Sequence, residues 1–314
     1  MGWKQIILDL IEHPIAGIPA RALGRLTWRQ SHIAGLINPF HLPAILVNRD
    51  GSPLIAQPDT YLFMGSGKKN AIRFAPQQYE PEISYLIGHL IQDTDVVLDI
   101  GANVGLHTVA FARKANNGHV YSFEPVSEMA ERLTTNVALN GLKNVTLVPC
   151  GLGAEDATLD ISVNIGGAGL EGTSTIAGSV HLNRQPDKYE TRKIPVRRLD
   201  GLVEKLQIDA RIGFIKIDTE GFETWVIEGG MGTIRKHLPA MVVEAHSSRL
   251  AAAGKNFQWY LDQFPEYHIL IVYPVNRVNP YLRLEPLTAI QQEIAVNLLF
   301  LPRGEVFGID GISE

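Results

Sequence analysis

From residue 95 onward, short apolar runs rich in Val, Ile and Phe alternate with helical stretches. That alternation restricts the chain to an α/β fold, a mostly parallel sheet covered by helices. The pattern predicts strands over 95–100, 119–124, 145–149, 158–164, 193–198, 213–218, 240–245, 267–273 and 295–300. Helices are expected over 105–115, 126–139, 200–207, 221–229 and 248–264. Another is expected over 79–91, where acids in the first turn suit the helix dipole. The last two strands read as an antiparallel hairpin at a sheet edge. In "RKIPVRR", Arg192 to Arg198, Ile194 and Val196 alternate with charges, which predicts a strand with one solvated face.

The first 75 or so residues differ. Their apolar runs are short and are broken by Pro14 and Pro19, so 1–75 is expected to be a cap or arm on a domain spanning 76–314. Such an arm would cover the substrate or join two copies in a homodimer. The segment 164–190 carries five glycines between Gly166 and Gly178, too many for a packed element, and reads as a lid loop. The net charge of −5 lacks the basic excess of a nucleic-acid protein. A single cysteine, Cys150, rules out an internal disulfide framework and fits a reducing compartment. No run approaches the roughly 18 apolar residues of a membrane span. Asp9, Glu12 and His13 interrupt the apolar N-terminus, and Ile6 breaks a myristoylation pattern. The expectation is a cytoplasmic protein.

In an open parallel sheet, ligands bind at the carboxyl ends of strands where the strand order reverses. Strand 95–100 runs into Asp99-Ile100-Gly101 and re-enters a helix near Gly105. A dinucleotide fingerprint needs G-x-G-x-x-G, and Asn103 stands where its second glycine belongs. What remains, D-x-G-x-x-x-G, suits a ligand that joins an amino acid to a nucleoside. Its carboxylate would sit at the helix N-terminus, with Asp99 facing its ammonium group. Glu124, ending the next strand, is placed to accept both ribose hydroxyls. Asn103 and Thr108 are further candidates, and the Gly151 backbone, beside Cys150, lies where an adenine ring would pass.

A second acid-rich turn, "GFIKIDTEGFE", puts Asp218 at a strand end, Glu220 two residues on, and Gly221 at a helix start. Glu220 and Glu223 also have a plainer reading, as acids complementing a helix dipole. Lys216 is a charge inside an apolar strand, so it must reach a carboxylate or the sheet end. The next strand ends in Glu244 and His246, two residues apart and so on one side. Asp218, Glu220, Glu244 and His246 together suit a general-base site or a divalent metal site.

These stretches resemble a known family. "VVLDIGANVGLHT", the F-E-P at Phe123–Pro125, the N-x-x-x-N of Asn136 to Asn140 and "KIDTEGFE" are similar to the motifs of FkbM-type S-adenosylmethionine-dependent methyltransferases. The resemblance implies a Rossmann-like class I methyltransferase fold with a seven-stranded sheet and methyl transfer to an oxygen. It would give Asp99, Gly101, Asn103 and Gly105 to the methionine part of the cofactor and Glu124 to its ribose. Asp218 would lie near the transferable methyl. Asp218 and His246 are then the candidate bases, with Glu220 as orienter or metal ligand. Acceptors in such a family are sugars, natural products and other small or lipid-linked molecules. The alternatives are a non-catalytic cofactor-binding relative and a nucleotide-dependent oxidoreductase.

Overall fold

The computed structural model describes residues 80–164, 175–176, 189–273, 283–288 and 294–305. The expected arm at 1–75 and nearly all of the expected lid at 164–190 lie outside the described residues. The elements begin with α1 (Pro81–Leu90), β1 (Val96–Ile100), α2 (Leu106–Lys114), β2 (His119–Phe123), α3 (Ser127–Leu139) and β3 (Val145–Val148). They continue with β4 (Gly151–Leu152), β5 (Ala157–Asn164), β6 (Thr175–Ile176), β7 (Tyr189–Arg197), α4 (Leu199–Lys205), β8 (Ile212–Ile217) and α5 (Glu223–His237). The last are β9 (Ala240–His246), α6 (Ser247–Ala252), α7 (Phe257–Gln263), β10 (Tyr267–Tyr273), β11 (Arg283–Pro286) and β12 (Ala295–Pro302).

The main sheet has the order β11-β10-β12-β9-β8-β1-β2-β3. Pairings among β3, β2, β1, β8 and β9 are parallel, and β12 lies antiparallel between β9 and β10. This is the Rossmann-like α/β arrangement expected of a class I methyltransferase fold, with eight strands rather than seven because β11 adds an edge. The predicted final hairpin is also corrected. β10 and β12 do pair, but β12 inserts beside β9 and β11 takes the edge.

Two predicted strands, 158–164 and 193–198, belong to a second sheet of order β4-β7-β5-β6. Their sequence pattern explains this. Every residue of β1 and of β8 is buried, as in strands covered on both faces. In β7, Ile194 and Val196 are buried while Lys193 and Pro195 are exposed, the alternation of a strand with one wet face.

Helices cover both faces of the main sheet. On one face, Ile83 and Leu86 of α1 and Phe111 of α2 pack against Val97, Val120, Phe214 and Val242. On the other, α4, α5 and α7 supply Leu202, Val226, Ile227 and Tyr260 against Leu98, Ile100, Ile215 and Met241. The predicted helix 221–229 runs on to His237. Its glycines permit close packing, since a Cβ at Gly229 would lie 1.9 Å from the Gly153 carbonyl oxygen. The predicted helix 248–264 divides into α6 and α7, and the Asn256 side chain caps α7 by accepting from the Trp259 amide. The strand order reverses between β2 and β8, on either side of β1, and the motif-bearing turns meet there.

Candidate active site at the strand ends

The turn after β1 is built from left-handed residues, with φ +81° at Gly101, +51° at Asn103 and +85° at Gly105. The amides of Gly101 and Ala102 both donate to the Phe123 carbonyl, at 3.0 and 3.1 Å, which fastens the turn to β2. A Cβ at Gly101 would lie 1.8 Å from the Asp218 carbonyl oxygen. The glycine is therefore required by the chain's own second turn, a reason the sequence motif did not disclose. Asn136, fully buried in α3, donates to the Val104 carbonyl at 2.7 Å and braces the turn from behind.

Glu124 closes this part of the site. Its two carboxylate oxygens accept from the amides of Asn103 and Val126, both at 2.8 Å. Burial pushes its carboxyl up to about 7, against the lowering effect of those two amide bonds.

Asp99 is 1% exposed and Thr108 is 0% exposed. The Thr108 hydroxyl lies 2.5 Å from the Asp99 carboxylate, to which it donates, and 3.0 Å from the Ser122 hydroxyl. Both residues support the turn from beneath it, and burial raises the Asp99 carboxyl. Gly151 sits in β4 beside Val196 of the second sheet. Cys150 is buried, and its thiol is pushed up to about 11 by that burial.

The second turn supplies the charge. In register, Asp99 pairs with Lys216 and Asn297 with Glu244. Lys216 is 3% exposed and donates to Asp218 at 2.7 Å. Burial alone would lower the Lys216 ammonium, but the carboxylates of Asp218, Glu80 and Asp99 outweigh it and raise it. Glu80, which precedes α1, takes part from a distance in sequence. It lies 2.9 Å from the His107 ring Nε2 and accepts from Asn297 at 3.5 Å. His107 and Lys216 hold Glu80 at about 2, despite the opposing effect of burial.

The acids of "TEGFE" divide the work. Glu223 is buried and accepts from the amides of Thr219 and Gly221 at 3.0 and 2.9 Å, which locks the turn. Glu220 has a left-handed backbone, φ +57°, and turns toward α6. There one Arg249 guanidinium bridges Glu220 and Glu244, each at 2.5 Å. Burial and the charge of Asp218 push Glu220 up to about 7, with Arg249 pulling the other way. The same causes raise Glu244.

His246 is held at the head of α6. Its Nδ1 accepts from the Ser248 amide at 3.3 Å and so caps α6. A nitrogen that accepts from an amide carries no proton, so the neutral ring carries its proton on Nε2. The four-residue metal site suggested by the sequence is corrected too. Asp218 turns to Lys216, Glu220 and Glu244 turn to Arg249, and His246 turns to Ser248. Among the described residues, no group of three or more His, Cys, Asp or Glu side chains is arranged to hold a metal ion.

A family model, the methyltransferase FkbM domain, matches residues 99–268, more than half of the chain. The chain belongs to the FkbM methyltransferase family. Methyltransferase 1 of Beauveria bassiana is 26% identical over 151 residues, which cover 44% of this chain and 59% of that protein. The chain thus matches less than two thirds of that relative's length. Hexuronic acid methyltransferase AglP of Haloferax volcanii is 26% identical over 198 residues, 62% of this chain and 75% of that protein. Among solved structures, methyltransferase FkbM from Methylobacillus flagellatus has 18% identity and a TM-score of 0.42, covering 67% of this chain and 44% of that one.

The FkbM match takes in both motif turns. Glu80 and Asn297 fall outside it. Sequence reasoning also missed Arg249. The available signal was a cation in the first turn after a strand that ends in Glu244 and His246.

Proposed function

We propose that this protein is an S-adenosylmethionine-dependent methyltransferase acting on a hydroxyl of a sugar, a glycan or a natural-product acceptor. One observation carries this reading. Among the described residues, the carboxyl groups of Asp99, Asp218, Glu80, Glu124, Glu220, Glu223 and Glu244 meet two permanent cations, Lys216 and Arg249, at the strand ends. That preponderance of acids, several of which burial raises toward the neutral range, favours a ligand with a sulfonium and an ammonium group that would draw them into their charged forms, and it opposes the pyrophosphate of a dinucleotide. The residues present therefore suit the cofactor. Glu124 would hold the ribose, and the N-terminus of α2 would hold the amino-acid carboxylate.

Bound in that seat, S-adenosylmethionine supplies a methyl group already activated on sulfur. The chain's own task is to align the acceptor oxygen, exclude water and receive the hydroxyl proton. Glu220, at about 7, has the proton affinity that suits a base near neutral pH, and Arg249 fixes its position. Asp218, braced by Lys216, stands beside it to orient the acceptor. A saccharide acceptor draws support from the Haloferax volcanii relative, which is named for methyl transfer to a hexuronic acid.

Calorimetric titration tests the cofactor: S-adenosylmethionine should bind and a nicotinamide dinucleotide should not. Incubation with methyl-labelled cofactor and fractionated polysaccharide, lipid-linked and small-molecule extracts then identifies the acceptor. Asp218→Asn and Glu220→Gln should each lower turnover at saturating cofactor about a hundredfold or more. Wild-type turnover by both variants would sink the role assignment. Tight cofactor binding with no labelled fraction would favour a non-catalytic relative.

A further inference from the structure

Glu80 lies outside the matched family segment, yet it is among the most firmly held acids at the strand ends. It adopts a left-handed backbone, φ +46°, which a residue with a side chain takes up only when its surroundings hold it there. Its carboxylate reaches three elements. It contacts His107 in the first turn of α2, Asn297 on β12 and, through charge, Lys216 on β8. Lys216 in turn hydrogen-bonds Asp218 and faces Asp99 in register. A brace between helices needs only hydrogen bonds, and a neutral side chain would supply them. Here a carboxylate is held against His107, and it is one of the three whose charges raise the Lys216 ammonium against its burial.

We infer that Glu80 is a further residue of the cofactor site, whose negative charge favours the cationic sulfonium cofactor over the neutral thioether product. This rests on the proposed S-adenosylmethionine reading and deepens it. Transfer breaks the bond between methyl carbon and sulfur and forms one to the acceptor oxygen. The bonding pair stays on sulfur and the hydroxyl proton passes to the carboxylate base, so the sulfonium charge is lost together with the base's own, which returns once the proton reaches solvent. A fixed surplus of carboxylate binds the cation before transfer and has less hold on the product afterwards. Glu80 keeps that surplus in being, because without it Lys216 would neutralise a larger share of the charge on Asp218 and Asp99. Its low proton affinity keeps it charged throughout the neutral range.

The test compares affinities for S-adenosylmethionine and S-adenosylhomocysteine by calorimetry, and needs no acceptor. Glu80→Gln retains the shape and hydrogen-bonding reach of the side chain and removes its charge. It should weaken S-adenosylmethionine about three- to thirtyfold, the scale of one unit charge in a partly buried crevice, and S-adenosylhomocysteine less than about twofold. Glu80→Asp keeps the charge and shortens the reach, so the ratio of the two affinities should stay at the wild-type value. Should Glu80→Gln fail to fold, Glu80→Ala serves beside Glu80→Asp, with the ratio falling in the first and holding in the second. Equal weakening of both ligands, or an unchanged ratio in the neutral variants, would overturn the inference and leave Glu80 a brace. Wild-type protein that bound neither ligand would instead refute the cofactor reading itself, and the inference with it.

Discussion

Gly101→Ala isolates the contact that joins the two motif turns. The new Cβ would lie 1.8 Å from the Asp218 carbonyl oxygen and 2.8 Å from its carbon, against an ordinary carbon–oxygen separation of roughly 3.3 Å. One turn must then move by about 1.5 Å relative to the other. That movement acts on the amide bonds from Gly101 and Ala102 to Phe123 and from Asp218 to Ile100, which now measure 3.0 to 3.1 Å. Losing two or three of them costs about 2–4 kcal/mol. A left-handed alanine adds about 1–2 kcal/mol. The sum, about 3–6 kcal/mol, is a large share of the roughly 5–15 kcal/mol that holds a domain folded. Gly141→Ala is the matched control. Gly141 also has a positive φ, +65°, and nothing lies within 4 Å of its would-be Cβ. That variant should lose only the backbone contribution, about 1–2 kcal/mol. Urea unfolding with linear extrapolation gives both values. If the two variants lost the same stability within about 0.5 kcal/mol, the Asp218 carbonyl would not be what demands a glycine at 101.

Two further predictions concern charge. Glu124, with its carboxyl raised to about 7, should accept ribose hydroxyls only as its carboxylate, so cofactor affinity should climb between roughly pH 6 and pH 8 and then level off. In the free protein the sign is opposite. A raised carboxyl stabilises the fold below its unfolded value, and that contribution is lost as pH rises through about 7. Calorimetry and urea unfolding across this range would measure both, and a flat affinity profile would count against Glu124 as the ribose partner. Lys216→Met should destabilise the protein by about 3–5 kcal/mol near neutral pH, because it leaves buried carboxylates without their ammonium. The loss should shrink on acidification. Glu80, held at about 2, contributes stability above its unfolded value that fades as pH falls toward 2, and the variant lacks part of that contribution from the start. A deficit that did not change with pH would mean that Lys216 acts through packing.

The fold was legible wherever a strand's pattern reported its surroundings. The run Val96–Ile100 is apolar except for Asp99 and proved buried throughout. The alternation at Ile194 and Val196 marked a strand with one wet face, which β7 is. What pattern alone did not reveal was which sheet such a strand joins. β5 and β7 left the main sheet for a small one of their own, and their alternation in place of a continuous apolar run was the cue. The number of strands depended on β11, a four-residue edge with little burial to announce it.

The site was legible as an inventory of acids, but not as an arrangement of pairs. Asp218, Glu220, Glu244 and His246 are close in space, as their positions at neighbouring strand ends imply. Residue type and spacing made them look like converging ligands. Each has a partner of its own: Asp218 meets Lys216 of the strand it follows, Glu220 and Glu244 meet Arg249 from α6, and His246 meets the Ser248 amide at the head of that helix. Burying a carboxylate is costly unless a counter-ion or a donor meets it, so each buried acid in a sequence implies a partner whose position the sequence does not give. Counting those partners changes the chemistry. Among the described residues two permanent cations stand beside seven carboxyl groups at the strand ends, several of them raised by burial, and a cationic ligand seated there would draw those acids into their charged forms and complete the pairing.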